Sequence, residues 1–226
     1  MNDKELVAHE ALKYIKNNSI VGLGTGSTAN FFIDALALKI KKESLDIKVV
    51  ASSTVSQIKA IECGLNYISL DQIETIDTYV DGADEVTKNL EVLKGRGYDL
   101  VREKLLAQAS NQFIVIGDKS KIVTKIGEKF PIPIEITPIA WKITKNLIKK
   151  IAINCVLRPN TAGDAFAITS DGNYVLDCEF EYKNLKNLSE DIAKIPGVIE
   201  CGIFQNIANI ALIAQNNQIT KITLKV

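Results

Sequence analysis

At 226 residues with 46% hydrophobic content the chain is long enough to bury a core in one or two domains, and 27 lysines and arginines balance 27 aspartates and glutamates. That balance excludes a global field favouring nucleic acid or an anionic membrane, leaves a local cationic pocket open, and points to a small-molecule partner. No apolar run approaches the roughly 20 residues that cross a bilayer, and residues 1–5 lack the apolar core of a signal peptide, so a cytoplasmic protein is expected.

In chain order, residues 5–16 carry the period of an amphipathic helix, with His9, the only histidine, on its surface. Residues 20–23 read as a buried strand breaking into a glycine turn, residues 29–42 as a helix, and residues 47–51 as a strand ending at Ser52-Ser53-Thr54. A helix to about residue 63 and short strands near 66–69 and 78–80 follow. This alternation predicts a parallel, doubly wound sheet, whose ligands bind beyond the carboxyl ends of its strands. The polar clusters 25–28, 52–54 and 81–84 all fall there and are expected to converge on one crevice.

Residues 90–93 read as a strand entering the loop Gly95-Arg96-Gly97, and a helix is expected over 98–110. The texture changes after Phe130-Pro131-Ile132-Pro133, where two prolines interrupt the pattern. A helix over 139–149 leads into antiparallel strands at 154–157, 165–169 and 174–179, with Ser170-Asp171-Gly172-Asn173 as a hairpin turn. A helix over 185–194 stops at Pro196-Gly197, one strand is expected over 198–204, and strands at 207–214 and 219–226 return to the first domain. The expected fold class is α/β: a doubly wound, mostly parallel Rossmann-like sheet domain (1–130 and 205–226) and a smaller α+β, ferredoxin-like domain (131–204) suited to oligomer contacts. Cys63, Cys155, Cys178 and Cys201 form no C-x-x-C pair and read as inert thiols in strands or buried helix ends.

The turn Gly22-Leu23-Gly24-Thr25-Gly26-Ser27-Thr28 fails as a dinucleotide fingerprint, because its third glycine is one residue early and no acid ends the next strand. No Gly-Lys-Ser/Thr is present either. Two readings remain: an anion cradle for a phosphate monoester at a helix N-terminus, or an ordinary turn capped by Ser27 or Thr28. Asp81, Asp84 and Glu85 form either a solvated acidic turn or a buried strand end whose carboxylates need partners. A metal there is the weaker reading, since no His or Cys accompanies the acids. Glu103 sits among Leu100, Leu106 and Ala107 on its helical wheel, so it is either a carboxyl of raised pKa suited to acid–base work or part of an exposed Arg-Glu-Lys patch.

The ordered set G-x-G-T-G-S-T, D-G-A-D-E, K-G-x-G and R-E-K resembles type A ribose-5-phosphate isomerase. The likeness extends to Asp118-Lys119-Ser120-Lys121, Pro131-Ile132-Pro133-Ile134-Glu135, Asp171-Gly172-Asn173 and residues 195–204. It implies a cofactor-free, metal-free interconversion of ribose 5-phosphate and ribulose 5-phosphate in the non-oxidative branch of the pentose phosphate pathway, by a homodimer or homotetramer. It further implies Glu103 as the base, with Asp81, Asp84 and Lys94 assisting. Substrate contacts fall on Thr25, Gly26, Ser27, Thr28, Asp81, Gly82, Ala83, Asp84, Lys94, Gly95, Arg96, Gly97 and Lys121. Two departures stand out. Arg96, Tyr98 and Asp99 occupy a loop that the family fills with small residues, and must point away from substrate unless Arg96 adds a phosphate contact. Val7 stands where many relatives carry a lysine, with Lys4 one turn earlier to compensate. The rivals are another phosphosugar-converting enzyme, which would want a catalytic histidine, and a non-catalytic sugar-phosphate sensor.

Overall fold

The computed structural model describes residues 2–224. Its elements are α1 (Asp3–Ala11), β1 (Ser19–Leu23), α2 (Ser27–Glu43), β2 (Ile47–Ala51), α3 (Thr54–Glu62), β3 (Asn66–Tyr67), β4 (Ile76–Gly82), β5 (Glu85–Val86), β6 (Val92–Leu93), α4 (Leu100–Ala109) and β7 (Ser110–Asp118). Then come β8 (Ile132–Ile136), α5 (Trp141–Ile148), β9 (Asn154–Leu157), β10 (Tyr174–Glu179), α6 (Leu185–Ala193), β11 (Val198–Cys201), β12 (Ile203–Phe204), β13 (Ile210–Gln215) and β14 (Gln218–Thr223). The first helix starts earlier than its period suggests because Asn2 and Glu5 cap it reciprocally, each backbone N–H donating to the other side chain at 2.9 Å. It also ends sooner, tightening into a 3-10 turn at Leu12–Tyr14.

The main sheet has the order β14-β13-β7-β4-β1-β2-β3, parallel except for β14 at one edge. The strand order reverses between β1 and β4, and that switch point opens a crevice at the carboxyl edge. Tyr79 and Phe113, both fully buried, stack beneath it with ring centroids 4.9 Å apart. Burying each ring stabilises the sheet by roughly 1.5–3 kcal/mol. The second sheet, β11-β8-β10-β9, is antiparallel; with α5 and α6 it has the connectivity β-α-β-β-α-β of a ferredoxin-like unit. A three-stranded sheet, β12-β6-β5, lies between. Among the described residues no helix is long and apolar enough to cross a membrane.

Four sequence expectations need correction. The chain has a strand, β7, where the sequence reading placed none; Ala109 passes into Ser110 with no Gly or Pro between, and the buried run Phe113–Ile116 has no period of its own. The prolines do not exclude a strand, because β8 runs through Pro133 at the centre of the small sheet. Pro133 accepts from Gly202 N–H at 2.8 Å, so its missing donor faces the end of β11 rather than the ladder with β10. The strand expected over 165–169 is a loop whose ladder contacts are the isolated bridges Pro159↔Phe166 and Ile168↔Tyr174. The single strand expected over 198–204 is broken at Gly202 into β11 and β12, which join different sheets. A Cβ there would lie 2.2 Å from the Lys94 carbonyl oxygen, while Lys94 N–H donates to Gly202 C=O at 2.9 Å. The last strand is observed to Thr223, and the expected positions 225–226 lie outside the described residues.

Cys155, Cys178 and Cys201 are buried free thiols, Cys63 is half-buried, and His9 is exposed on α1.

Candidate active site

The glycine turn leaves β1 against the end of β4. Gly24 tolerates no side chain: a Cβ would sit 2.1 Å from Asp81 Oδ1. That closeness lets Thr25 N–H donate to the same oxygen at 3.0 Å. Gly26 adopts φ +108 as the N-cap of α2, a conformation favouring glycine, and opens the first turn at Ser27 and Thr28. The Thr25 hydroxyl faces the end of β2, donating to Ser53 Oγ at 2.8 Å and bonding Ser52 Oγ at 2.9 Å. Ser56 Oγ donates to Gly24 C=O at 2.6 Å. The 52–54 cluster therefore underpins the glycine turn and does not line the crevice; the third wall comes from the end of β7 at Asp118, Ser120 and Lys121.

Three charged side chains meet behind the turn with almost no exposure: Asp81 0%, Lys94 3% and Glu103 2%. Lys94 Nζ lies 2.8 Å from Asp81 Oδ2 and 3.3 Å from Glu103 Oε1, and donates to Gly82 C=O at 2.7 Å. Asp81 also accepts from Gly82 N–H at 2.6 Å and from the Tyr79 hydroxyl. Burial pulls the Lys94 ammonium down, but the carboxylates of Asp81 and Glu103 outweigh it and hold the group charged. For Glu103 burial dominates: against the opposing pull of Lys94, and helped by the repulsion of Asp81 and Asp84, it pushes the carboxyl up to about 8 from an ordinary 4.5. Its Oε2 is buried and has no hydrogen-bond partner among the described residues. Asp84 is also raised by burial, against Lys94 and the Arg96 N–H, which donates to its Oδ2 at 3.1 Å. Tyr79, fully buried beside Asp81, is held well above the usual phenol range by that burial.

These groups open onto a cavity of about 380 Å3 lined by Thr25, Gly26, Ser27, Thr28, Gly82, Ala83, Asp84, Lys94, Gly95, Gly97 and Glu103, with Lys121, Ser120, Asp118 and Lys4. Two sites of expected contact lie elsewhere: Asp81 stands behind Lys94, outside the lining, and Arg96 stacks its guanidinium over the Phe130 ring at 4.0 Å. Tyr98, at φ +78, reaches the Thr161 hydroxyl at 3.4 Å, and Asp99 turns to Ser170, so all three large side chains of the glycine loop face away from the cavity. Val7 is fully buried in the core, while Lys4 enters the lining and donates to Ser27 Oγ at 2.8 Å. Asp118, opposed by modest burial, is held low by the Ser120 hydrogen bonds and by the charges of Lys121 and Lys4, which line the same cavity. Asp118 and Ser120 were legible only as parts of a quoted motif, since no strand was expected to deliver them. Among the described residues no cluster of three His, Cys, Asp or Glu side chains is arranged to hold a metal.

Residues 48–218 match the model of a family described as ribose 5-phosphate isomerase A (phosphoriboisomerase A). A ribose-5-phosphate isomerase A of Thermococcus kodakarensis is 40% identical over 212 residues, 93% of this chain and 93% of its own. One from Pyrococcus horikoshii is 39% identical over 221 residues, 97% of this chain and 96% of its own. The solved ribose 5-phosphate isomerase A of Methanocaldococcus jannaschii superposes with a TM-score of 0.92 at 33% identity, over 98% of each chain. A D-ribose-5-phosphate isomerase solved in complex with phospho-erythronic acid superposes with a TM-score of 0.94 at 38% identity, over 99% of this chain and 100% of the other.

Proposed function

The chain belongs to the ribose 5-phosphate isomerase A family, and from that premise we propose that it interconverts D-ribose 5-phosphate and D-ribulose 5-phosphate through an enediolate. The observation that carries this reading is the buried Glu103 carboxyl, with one oxygen unpartnered among the described residues, 3.3 Å from the Lys94 ammonium on a cavity that Lys4 and Lys121 also line.

The phosphate sits at the lysine end, where the first N–H groups of α2, the Ser27 and Thr28 hydroxyls and two ammonium groups meet its charge. The sugar carbons then extend toward Lys94. Glu103, ionised, takes the proton from C2 of the open-chain aldose; the electron pair moves into the C1–C2 bond and the carbonyl oxygen becomes an enediolate oxygen. A proton passes from O2 to O1, and the carboxyl returns its proton to C1, leaving the ketose. One base serves both carbons, and every proton is accounted for without a redox partner. Lys94 supports the enediolate charge. Its bond to Glu103, the longest of its three contacts, is the one exchanged for the substrate oxygen. Asp81 holds Lys94 in place from behind, and Asp84, which lines the cavity, serves ring opening and the shuttle between O1 and O2.

A relative solved in complex with phospho-erythronic acid supports the substrate class, because that molecule is a phosphorylated short-chain sugar acid whose carboxylate carries negative charge at the end where an enediolate would. We place the reaction in the non-oxidative pentose phosphate pathway of the cytoplasm, carried out by a homodimer or homotetramer. The test is purified protein with ribose 5-phosphate, without metal or nucleotide, followed by ketose absorbance. Turnover is expected; binding without turnover would favour a sugar-phosphate sensor instead.

A further inference from the structure

We infer that Asp99 is a positioning residue for the base, strapping the first turn of α4 to the 170–173 turn of the small antiparallel unit; the inference rests on the isomerase reading above. Asp99 is the N-cap of α4, where an aspartate ordinarily accepts from its own helix, yet its side chain makes no such bond. It crosses instead to the other unit: Ser170 N–H donates to Oδ1 at 2.7 Å and Ser170 Oγ–H to Oδ2 at 2.9 Å. Asp99 is 7% exposed, so both bonds form largely out of water, where a charge-assisted bond is strong.

The turn it grips is itself fixed. Gly172 N–H donates to Thr169 C=O at 2.9 Å, and buried Glu135 accepts from Thr169 Oγ at 2.9 Å and Asn173 Nδ2 at 2.8 Å. One turn along α4, Arg102 adds a second link, its Nη2 2.5 Å from Asp171 Oδ1. The strap reaches the chemistry directly, because Glu103 N–H donates to the Asp99 carbonyl at 3.0 Å. The residue whose side chain is anchored across the units is thus the one whose backbone holds the base. Few polar contacts fix Glu103 itself, since among the described residues Oε2 has no partner and Oε1 has the longer Lys94 contact. Proton transfer to carbon depends steeply on placement, and a displacement near 1 Å costs about 100-fold.

The experiment compares wild type, Asp99→Ala, Asp99→Asn, Ser170→Ala and the Asp99→Ala/Ser170→Ala double variant. Each is assayed at 25 °C after its native far-UV circular dichroism has been verified, with ordinary and 2-deuterated ribose 5-phosphate. Asp99→Ala is expected to lower kcat about tenfold with KM within about twofold, and to raise the deuterium isotope effect on kcat as proton transfer becomes slower. Asp99→Asn, which keeps an acceptor for the Ser170 N–H, should recover kcat to within about threefold of wild type. The double variant should be no worse than Asp99→Ala, because both changes remove the same link. An active wild type whose Asp99→Ala form retains kcat and isotope effect, or changes only KM, overturns the inference alone. An inactive wild type overturns the isomerase reading and the inference with it. Should Asp99→Ala fail to fold, Ser170→Ala carries the test: a smaller fall in kcat with a raised isotope effect is expected, and an unchanged isotope effect refutes it.

Discussion

Glu103→Gln removes an ionisable group from a site where it is 2% exposed while preserving its shape, and its effects on activity and stability should run in opposite directions. In the folded chain the carboxyl is held at about 8, whereas its ordinary value is 4.5. Below the lower value it is neutral in both states and costs nothing. Between the two, the unfolded chain releases its proton while the folded one keeps it, so wild-type stability falls by about 1.4 kcal/mol per pH unit. At pH 7 the gross penalty approaches about 3 kcal/mol, and above the folded value it stops growing. Glutamine escapes that penalty, while Lys94 keeps Asp81 and Gly82 as partners; fitting an amide in place of the protonated carboxyl returns part of the gain and leaves about 1–2 kcal/mol. For a chain of this size that is roughly 2–8 °C in Tm. The assay is thermal unfolding by circular dichroism at pH 5, 6, 7 and 8, paired with kcat. The expected result is a Tm advantage for the variant that is small at pH 5, grows to pH 8, and accompanies a fall in kcat of roughly 10² to 10⁴. A Tm difference independent of pH, or near-normal turnover, would refute the reasoning that the base is a buried, destabilised carboxyl.

The acidic limb of kcat/KM in wild type should lie near 8, far above the ordinary carboxylate range, since the ionised form is the base; a limb below pH 6 would remove Glu103 from that role. Lys4→Ala should raise KM for the sugar phosphate by about tenfold with kcat nearly unchanged, as expected for binding energy that is equal in ground and transition states, and an unaltered KM would place the phosphate elsewhere. Arg96→Gly should leave KM within about twofold of wild type and cost about 1 kcal/mol of stability through the lost stacking on Phe130, measured by urea unfolding; a several-fold KM increase would show that the guanidinium reaches substrate.

What the sequence discloses here follows from how local each signal is. The carboxyl-edge motifs are contiguous runs that a buried strand delivers to one place, so Asp81, Asp84, Lys94 and Glu103 were recognisable as partners, and β2, β9 and β10 have the bounds their alternation suggests. Contacts made across long separations were harder to read. That Asp81 backs Lys94 instead of facing the cavity depends on Thr25, 56 residues away, donating to it. The role of Lys4 depends on α1 packing beside the start of α2, and it was the family resemblance that drew attention to Val7, whose side chain is fully buried. The strand β7 was hidden because both of its faces are buried, Ile114 and Ile116 in the cluster that holds Val7 of α1 and Phe113 and Val115 in the cluster that holds Leu106 of α4, which erases the alternation that marks a half-exposed strand. Pro133 misled for the opposite reason: a proline in a central strand is ordinarily a contradiction, resolved here by where its ring faces.

The interior position of β13 bears on how the polypeptide comes off the ribosome. Residues 132–201 complete their four-stranded unit from one uninterrupted stretch, whereas the larger sheet receives its penultimate strand only once Gln215 has been made. Until then β7 presents an open, apolar flank beside its finished neighbour β4. Vectorial synthesis therefore delivers the smaller unit ready-formed before the larger one can close, and the nascent chain passes through a stage in which an apolar strand edge, the kind that pairs with other chains, awaits residues 210–215.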